Sequence, residues 1–194
     1  MIGLTGGVAA GKSEALAAFG RLGAATVSAD ELVHDLLDRE PLRTEIEGRW
    51  GPEMVVDGRV DRHAVGSRVF EDPAELSWLE SRVHPLVREE IASWVSRADS
   101  GVAVVEVPLL FEGEFHDRFD ATVAIVADEE VRRGRAEARG QAGLEGREAR
   151  QLSQEEKAGM ADHVVANEGT VEKLESALRD LLSELGTELP PPSG

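Results

Sequence analysis

Short apolar runs alternate with amphipathic stretches along this chain. The opening MIGLTG is apolar, glycines follow, and then come Ala15, Leu16, Ala17, Ala18 and Phe19. That is the order strand, glycine loop, helix, with a stop near Gly20 or Gly23. AATVSAD (24–30) reads as a second buried strand, and ELVHDLLD as a short helix after it. VAVVEVPLLF (102–111) is a continuous apolar run broken by Glu106, as in a strand covered on both faces, and ATVAIVA (121–127) is another. ADHVVANEG (161–169) supplies a last short strand. The following TVEKLESALRDLLSEL repeats Val171, Leu174, Leu178, Leu181 and Leu185 at helical spacing.

Residues 41–100 are charged and helical in pattern, without an evident parallel strand. There Leu79, Val83, Leu86, Val87, Ile91 and Val95 recur at helical intervals, and Pro85 is predicted to open a second helical part at its first position. Residues 129–160 are intensely charged, and the tail TELPPPSG is predicted to be disordered. Strands alternating with helices imply an α/β fold with a parallel sheet and helices on both faces. Ligands of such sheets bind beyond the carboxyl ends of the strands. The positions expected there are the 6–13 loop, Asp30, Pro108 to Glu112, Asp128 and Asn167.

Composition narrows the function classes. A length of 194 residues fits one domain, or one domain with a sizeable insertion. Cysteine is absent, which excludes disulfides, zinc–thiolate sites and cysteine nucleophiles. The five histidines are scattered without ligand spacing, so no histidine metal site is expected. A net charge of −17 argues against a nucleic-acid partner, while a small anionic ligand remains open if basic groups concentrate in one pocket. No apolar run approaches a membrane span and no secretory signal is evident, so a cytoplasmic protein without a membrane partner is expected. A monomer is expected.

The glycine stretch carries the most specific chemistry. Gly6-x-x-x-x-Gly11-Lys12-Ser13 fits the phosphate-binding loop G-x-x-x-x-G-K-[ST]. Its amides converge on phosphates, and the following helix adds its positive end. Lys12 is expected to reach the β- and γ-phosphates and the Ser13 hydroxyl to ligate Mg²⁺, so the loop by itself implies ATP or GTP bound with Mg²⁺. Candidate ATP contacts are Gly6, Gly7, Val8, Ala9, Ala10, Gly11, Lys12, Ser13 and Glu14, with the Glu14 carboxylate turned away from the phosphates. The only asparagine, Asn167, precedes Glu168, so the base-reading N-K-x-D of a GTPase is missing. A small kinase is favoured over a switch or a mechanical ATPase. Asp30 reads either as a helix N-cap or as the carboxylate that orients an acceptor hydroxyl. Arg135 and Arg139, four apart, read either as a solvated face paired with Glu129, Glu130 and Glu137 or as part of a lid.

Beyond these residues the chain resembles the dephospho-CoA kinase family over nearly its whole length. The matching pieces are GLTGGVAAGKS (3–13), SAD (28–30), WGPEMVVDGRVDR (50–62), VFEDP (69–73), LESRVHPLVR (79–88), VPLLFE (107–112), the R-x-x-x-R at 135–139 and ADHVVANEG (161–169). Ser28 departs from the pattern, standing where that family often has a second Asp. The resemblance implies a P-loop NTPase three-layer fold. Its nucleotide core would comprise 1–37, 101–133 and 161–186, with a helical acceptor domain at 38–100, an arginine-rich lid at 134–160 and a tail at 187–194. It also implies ATP-dependent phosphorylation of the ribose 3′-hydroxyl of dephospho-CoA. Asp30 would be the base, with Lys12 and the lid arginines Arg139 and Arg147 acting on the phosphates. His84, Arg88, Pro108, Leu109 and Glu112 would contact the acceptor, and Asn167 and Gly169 would lie near the adenine. The alternatives are another small kinase acting on a nucleoside, nucleotide or small alcohol, and a non-catalytic ATP-binding regulator.

Overall fold

The structure, a computed structural model, describes residues 1–113, 115–138 and 151–187. These residues pack as two compact units, one comprising Met1–Ser28 with the described residues from Ala98 onward, the other Ala29–Arg97.

The first unit is built on a five-stranded sheet. Its strands are β1 (Ile2–Gly6), β2 (Ala25–Ser28), β5 (Ala103–Glu106), β6 (Ala121–Val126) and β7 (His163–Ala166), in the order β2-β5-β1-β6-β7. Every pairing is parallel. Parallel strands need crossovers, and this unit supplies α1 (Lys12–Arg21), α6 (Glu129–Ala138) and α7 (Gln154–Met160), while α8 (Val171–Glu184) follows the last strand. The central strand β1 alternates between two buried faces. Ile2 and Leu4 enter a core with Phe19 of α1 and Leu174 and Leu178 of α8. On the other face a side chain on Gly3 would meet Phe119 and Leu110. Helix α7 packs against β1 and β6, so residues 154–160, expected within the lid, lie on the core sheet.

Two strand expectations needed shortening. The run 102–111 is strand only to Glu106. Pro108 has no N–H to extend a ladder, and its carbonyl instead accepts from the Thr5 hydroxyl at 3.3 Å and the Lys157 amine at 2.6 Å. AATVSAD likewise stops early. β2 ends at Ser28, and Asp30 lies in the first turn of a helix instead of at a strand end or an N-cap. The helix wins because its buried Leu32 and Leu36 fall at helical spacing.

The second unit is helical: α2 (Ala29–Leu37), α3 (Leu42–Trp50), α4 (Arg62–Glu71) and α5 (Pro73–Arg97), with α2 and α4 packed on α5. Pro85 does not open a new helix as expected but sits inside α5. Its side chain is exposed, and Val83, Val87 and Ile91 on the buried stripe carry the helix across the missing hydrogen bond. A small antiparallel hairpin, β3 (Val55–Val56) with β4 (Arg59–Val60), was not expected. Its turn residues Asp57 and Gly58 have φ of 51° and 77°, the positive pair that a tight two-residue hairpin turn requires. Nearby, Trp50 and Trp78 meet edge to face at 5.0 Å between centroids, and Arg49 lies 4.6 Å from the Trp78 ring centroid.

Candidate active site

The loop between β1 and α1 has the geometry of a phosphate cradle. Two of its glycines have backbones no other residue would tolerate. Gly6 has φ 150°, and a Cβ there would come within 2.3 Å of the Ile125 carbonyl on β6. Gly11 has φ 97°, and its Cβ would strike the Asn167 amide nitrogen at 2.1 Å. Between them Ala9 takes the left-handed φ of 58°. The Lys12 amine donates to the Gly6 and Gly7 carbonyls at 3.1 and 3.0 Å, which holds it over the loop. Ser13 is exposed in the first turn of α1, and the Glu14 carboxylate accepts from Arg21 at 2.8 Å, farther along the helix.

Three segments of the same unit close around this loop. From α6, Arg132 lies 3.5 Å from the Val8 carbonyl, and Arg135 donates to the Ala10 carbonyl at 3.1 Å and the Asn167 carbonyl at 3.0 Å. Arg135 is therefore neither on a solvated face nor paired with Glu129, Glu130 or Glu137: it is half-buried under the loop. From the end of β7, the Asn167 side chain is 5% exposed and donates to the same Ala10 carbonyl at 2.9 Å. From α7, Gln154 brackets the end of β6, accepting from the Ala127 amide at 2.9 Å and donating to its carbonyl at 3.1 Å. A cleft of about 220 Å³ opens beside the loop, lined by Gly7, Val8, Arg132, Gln151, Leu152, Ser153, Gln154 and Glu155.

The turn after β5 carries Pro108, Leu109 and Glu112. Leu109 is exposed. Glu112 turns inward, accepting from the Leu152 amide at 2.8 Å and pairing with Lys157 at 3.1 Å. Lys157 is wholly buried. Nothing in QEEKAGM marks it for burial, since a charged residue in a charged helix reads as solvated, and only the tertiary contact reveals its role.

Asp30, His84 and Arg88 fall in the second unit. Asp30 is an exposed residue of α2, and His84 and Arg88 share one face of α5, four residues apart. Gly169 follows Asn167 in the first unit, where a Cβ would sit 2.8 Å from the Lys173 chain. Arg139 and Arg147 lie outside the described residues. Among the described residues no cluster of His, Asp and Glu could hold a metal by itself. A lone hydroxyl suits Mg²⁺ that takes its other ligands from phosphate oxygens and water, and Ser13 supplies one.

A parallel sheet whose central strand runs into this loop, at the point where neighbouring crossovers diverge, defines a P-loop nucleotide-binding protein of the small-kinase type. A profile of the dephospho-CoA kinase family matches residues 1–173. A dephospho-CoA kinase of Thermus thermophilus is 38% identical over 188 residues, spanning 95% of this chain and 91% of the relative. A crystal structure from Thermus thermophilus superposes with a TM-score of 0.80 at 38% identity, over 95% of this chain and 96% of that one. The dephospho-CoA kinase of Campylobacter jejuni superposes at 0.70 with 26% identity, over the same shares of the two chains. The chain belongs to the dephospho-CoA kinase family.

Proposed function

We propose that this chain transfers the γ-phosphoryl group of ATP to the ribose 3′-hydroxyl of dephospho-CoA, giving CoA and ADP. The observation that carries the reading is the family match over residues 1–173, of which the Gly6–Ser13 cradle is the part that handles phosphate.

The reaction is direct in-line transfer. The loop amides and Lys12 fix the triphosphate, and the positive end of α1 faces its charge. Ser13 would hold Mg²⁺, which when bound would neutralise charge on the triphosphate. Asp30 orients the 3′-hydroxyl and accepts its proton. Arg139 and Arg147 neutralise charge that spreads over the transferred group. His84, Arg88, Pro108 and Leu109 contact the acceptor, Glu112 supports the turn that carries Pro108 and Leu109, and Gly169 borders the adenine. The enzyme works as a cytoplasmic monomer. Among the described residues no helix is long and apolar enough to cross a membrane.

The test is ADP release, measured first with ATP alone and then with dephospho-CoA added. Stimulation by the acceptor is expected, with adenosine and nucleoside monophosphates poor substitutes. A trace unchanged by dephospho-CoA overturns the reading. Lys12→Ala and Asp30→Asn are each expected to lower kcat by about two orders of magnitude or more with the fold retained. Near-full activity in Asp30→Asn removes Asp30 as the base.

A further inference from the structure

The Ala10 carbonyl of the phosphate loop receives two side-chain donors from outside the loop. The Ala10 oxygen accepts from the Asn167 Nδ2 at 2.9 Å and from the Arg135 Nη1 at 3.1 Å. The two donors are tied to each other, because the Arg135 Nη2 donates to the Asn167 carbonyl at 3.0 Å and lies 3.4 Å from its Oδ1. The Asn167 backbone is itself anchored, its N–H donating to the Val126 carbonyl of β6 at 2.7 Å. Asn167 is 5% exposed, so its amide has no room to turn elsewhere. The fit depends on the missing side chain at Gly11, since a Cβ there would overlap the Asn167 nitrogen at 2.1 Å.

A trans peptide points its C=O and N–H in opposite directions. Two donors on the Ala10 carbonyl therefore fix the Gly11 N–H on the opposite side of the peptide plane, and they polarise the peptide so that this N–H donates more strongly. One of the donors is a cation, which adds positive potential directly behind the loop. We infer that Asn167 and Arg135 are positioning residues that clamp the Ala10–Gly11 peptide for phosphate binding, and that the Asn167 side chain serves the loop and not the nucleotide base. The inference rests on nucleotide binding by the 6–13 loop. It differs from the adenine contact that family resemblance implies for Asn167, because its amide is already committed to Ala10.

Affinity as a function of phosphate number tests this. The dissociation constants of ATP, ADP and AMP are measured on the full chain by calorimetry for wild type, Asn167→Ser, Arg135→Lys and the double variant. Unliganded melting temperatures are recorded alongside. A clamp predicts that Asn167→Ser weakens ATP about tenfold or more while AMP changes less than threefold, so the gain from added phosphates shrinks. Arg135→Lys keeps the charge but cannot span both carbonyls, so an intermediate loss is expected. The double variant loses less than the product of the two single losses, since both act on one oxygen. In steady state KM for ATP rises while KM for dephospho-CoA stays. Equal weakening of AMP and ATP by Asn167→Ser overturns the clamp in favour of a base contact. Unchanged ATP affinity in a folded Arg135→Lys with unchanged Asn167→Ser also overturns it. Absence of ATP binding by the wild type, which would be the same in Lys12→Ala, overturns the loop reading and the clamp with it.

Discussion

A lysine with no exposed surface is the least expected side chain in this protein. Taking an ammonium out of water costs several kcal/mol, which only close partners offset. Lys157 has the Pro108 carbonyl at 2.6 Å and the Glu112 carboxylate at 3.1 Å, and Glu112 in turn accepts from the Leu152 amide. Lys157→Met keeps most of the stem volume but takes the closest donor from the Pro108 carbonyl and the counter-charge from the Glu112 carboxylate, so a loss of about 3–5 kcal/mol is expected by chemical denaturation. Adding Glu112→Gln to that variant should recover part of the loss. Strictly additive losses would show that the two groups are not coupled. The same scale shows where sequence stopped being informative. Gly6, Gly11, Lys12 and Ser13 announced themselves because phosphate binding demands those residue types at that spacing. Lys157 and Arg135 did not, because charged helices look alike whether they face water or a carbonyl.

At the level of elements the parallel strands were legible, since buried strands are apolar along their whole length and little else in the chain is. Their ends were not. The run 102–111 contains a proline whose effect depends on what its carbonyl meets, and Asp30 follows an apolar run that the helical spacing of Leu32 and Leu36 takes over. The hairpin at 55–60 carried an Asp-Gly turn signal, but strands of two residues leave no alternation to read. The β6–β7 pairing has a polar pin at its start. Thr122 donates from both its amide and its hydroxyl to Asp162, at 2.8 and 2.7 Å. These hydrogen bonds hold the Asp162 carboxyl below the usual carboxylate range. The Glu156 carboxyl is lowered too, chiefly by the Ser153 amide, in the capping box that starts α7. A lowered folded value means the contribution to stability is complete at neutral pH and is lost as pH falls below the ordinary carboxylate value of about 4. Asp162→Asn should therefore lower the melting temperature at pH 7 and narrow its gap from wild type as the pH approaches 3. A gap that stays constant through that range removes the hydrogen-bonded carboxylate as its cause.

Across the whole molecule the charge distribution explains how a chain of net charge −17 handles an anion. Acidic groups dominate the count, yet Lys12, Arg132 and Arg135 each lie against a carbonyl of the same short loop. Composition left open only that basic groups might gather in one pocket, and the fold is what gathers them. The candidate residues are also divided: the phosphate loop, Pro108 and Asn167 belong to the first unit, and Asp30, His84 and Arg88 to the second. Sequence order hid that division, because Asp30 stands two positions past the end of β2.

The scarcity of lysine gives Lys157 a use as a reporter. The chain has three side-chain amines, and a reagent that acetylates them meets three different situations. Lys173 is exposed and should react at once. Lys12, half-buried at the loop, should react more slowly and be protected by ATP. Lys157 should react only when α7 lifts from the sheet, so its modification rate, read by mass spectrometry on tryptic peptides, measures how often that part of the fold opens. Rapid labelling of Lys157 in the native protein would contradict its burial.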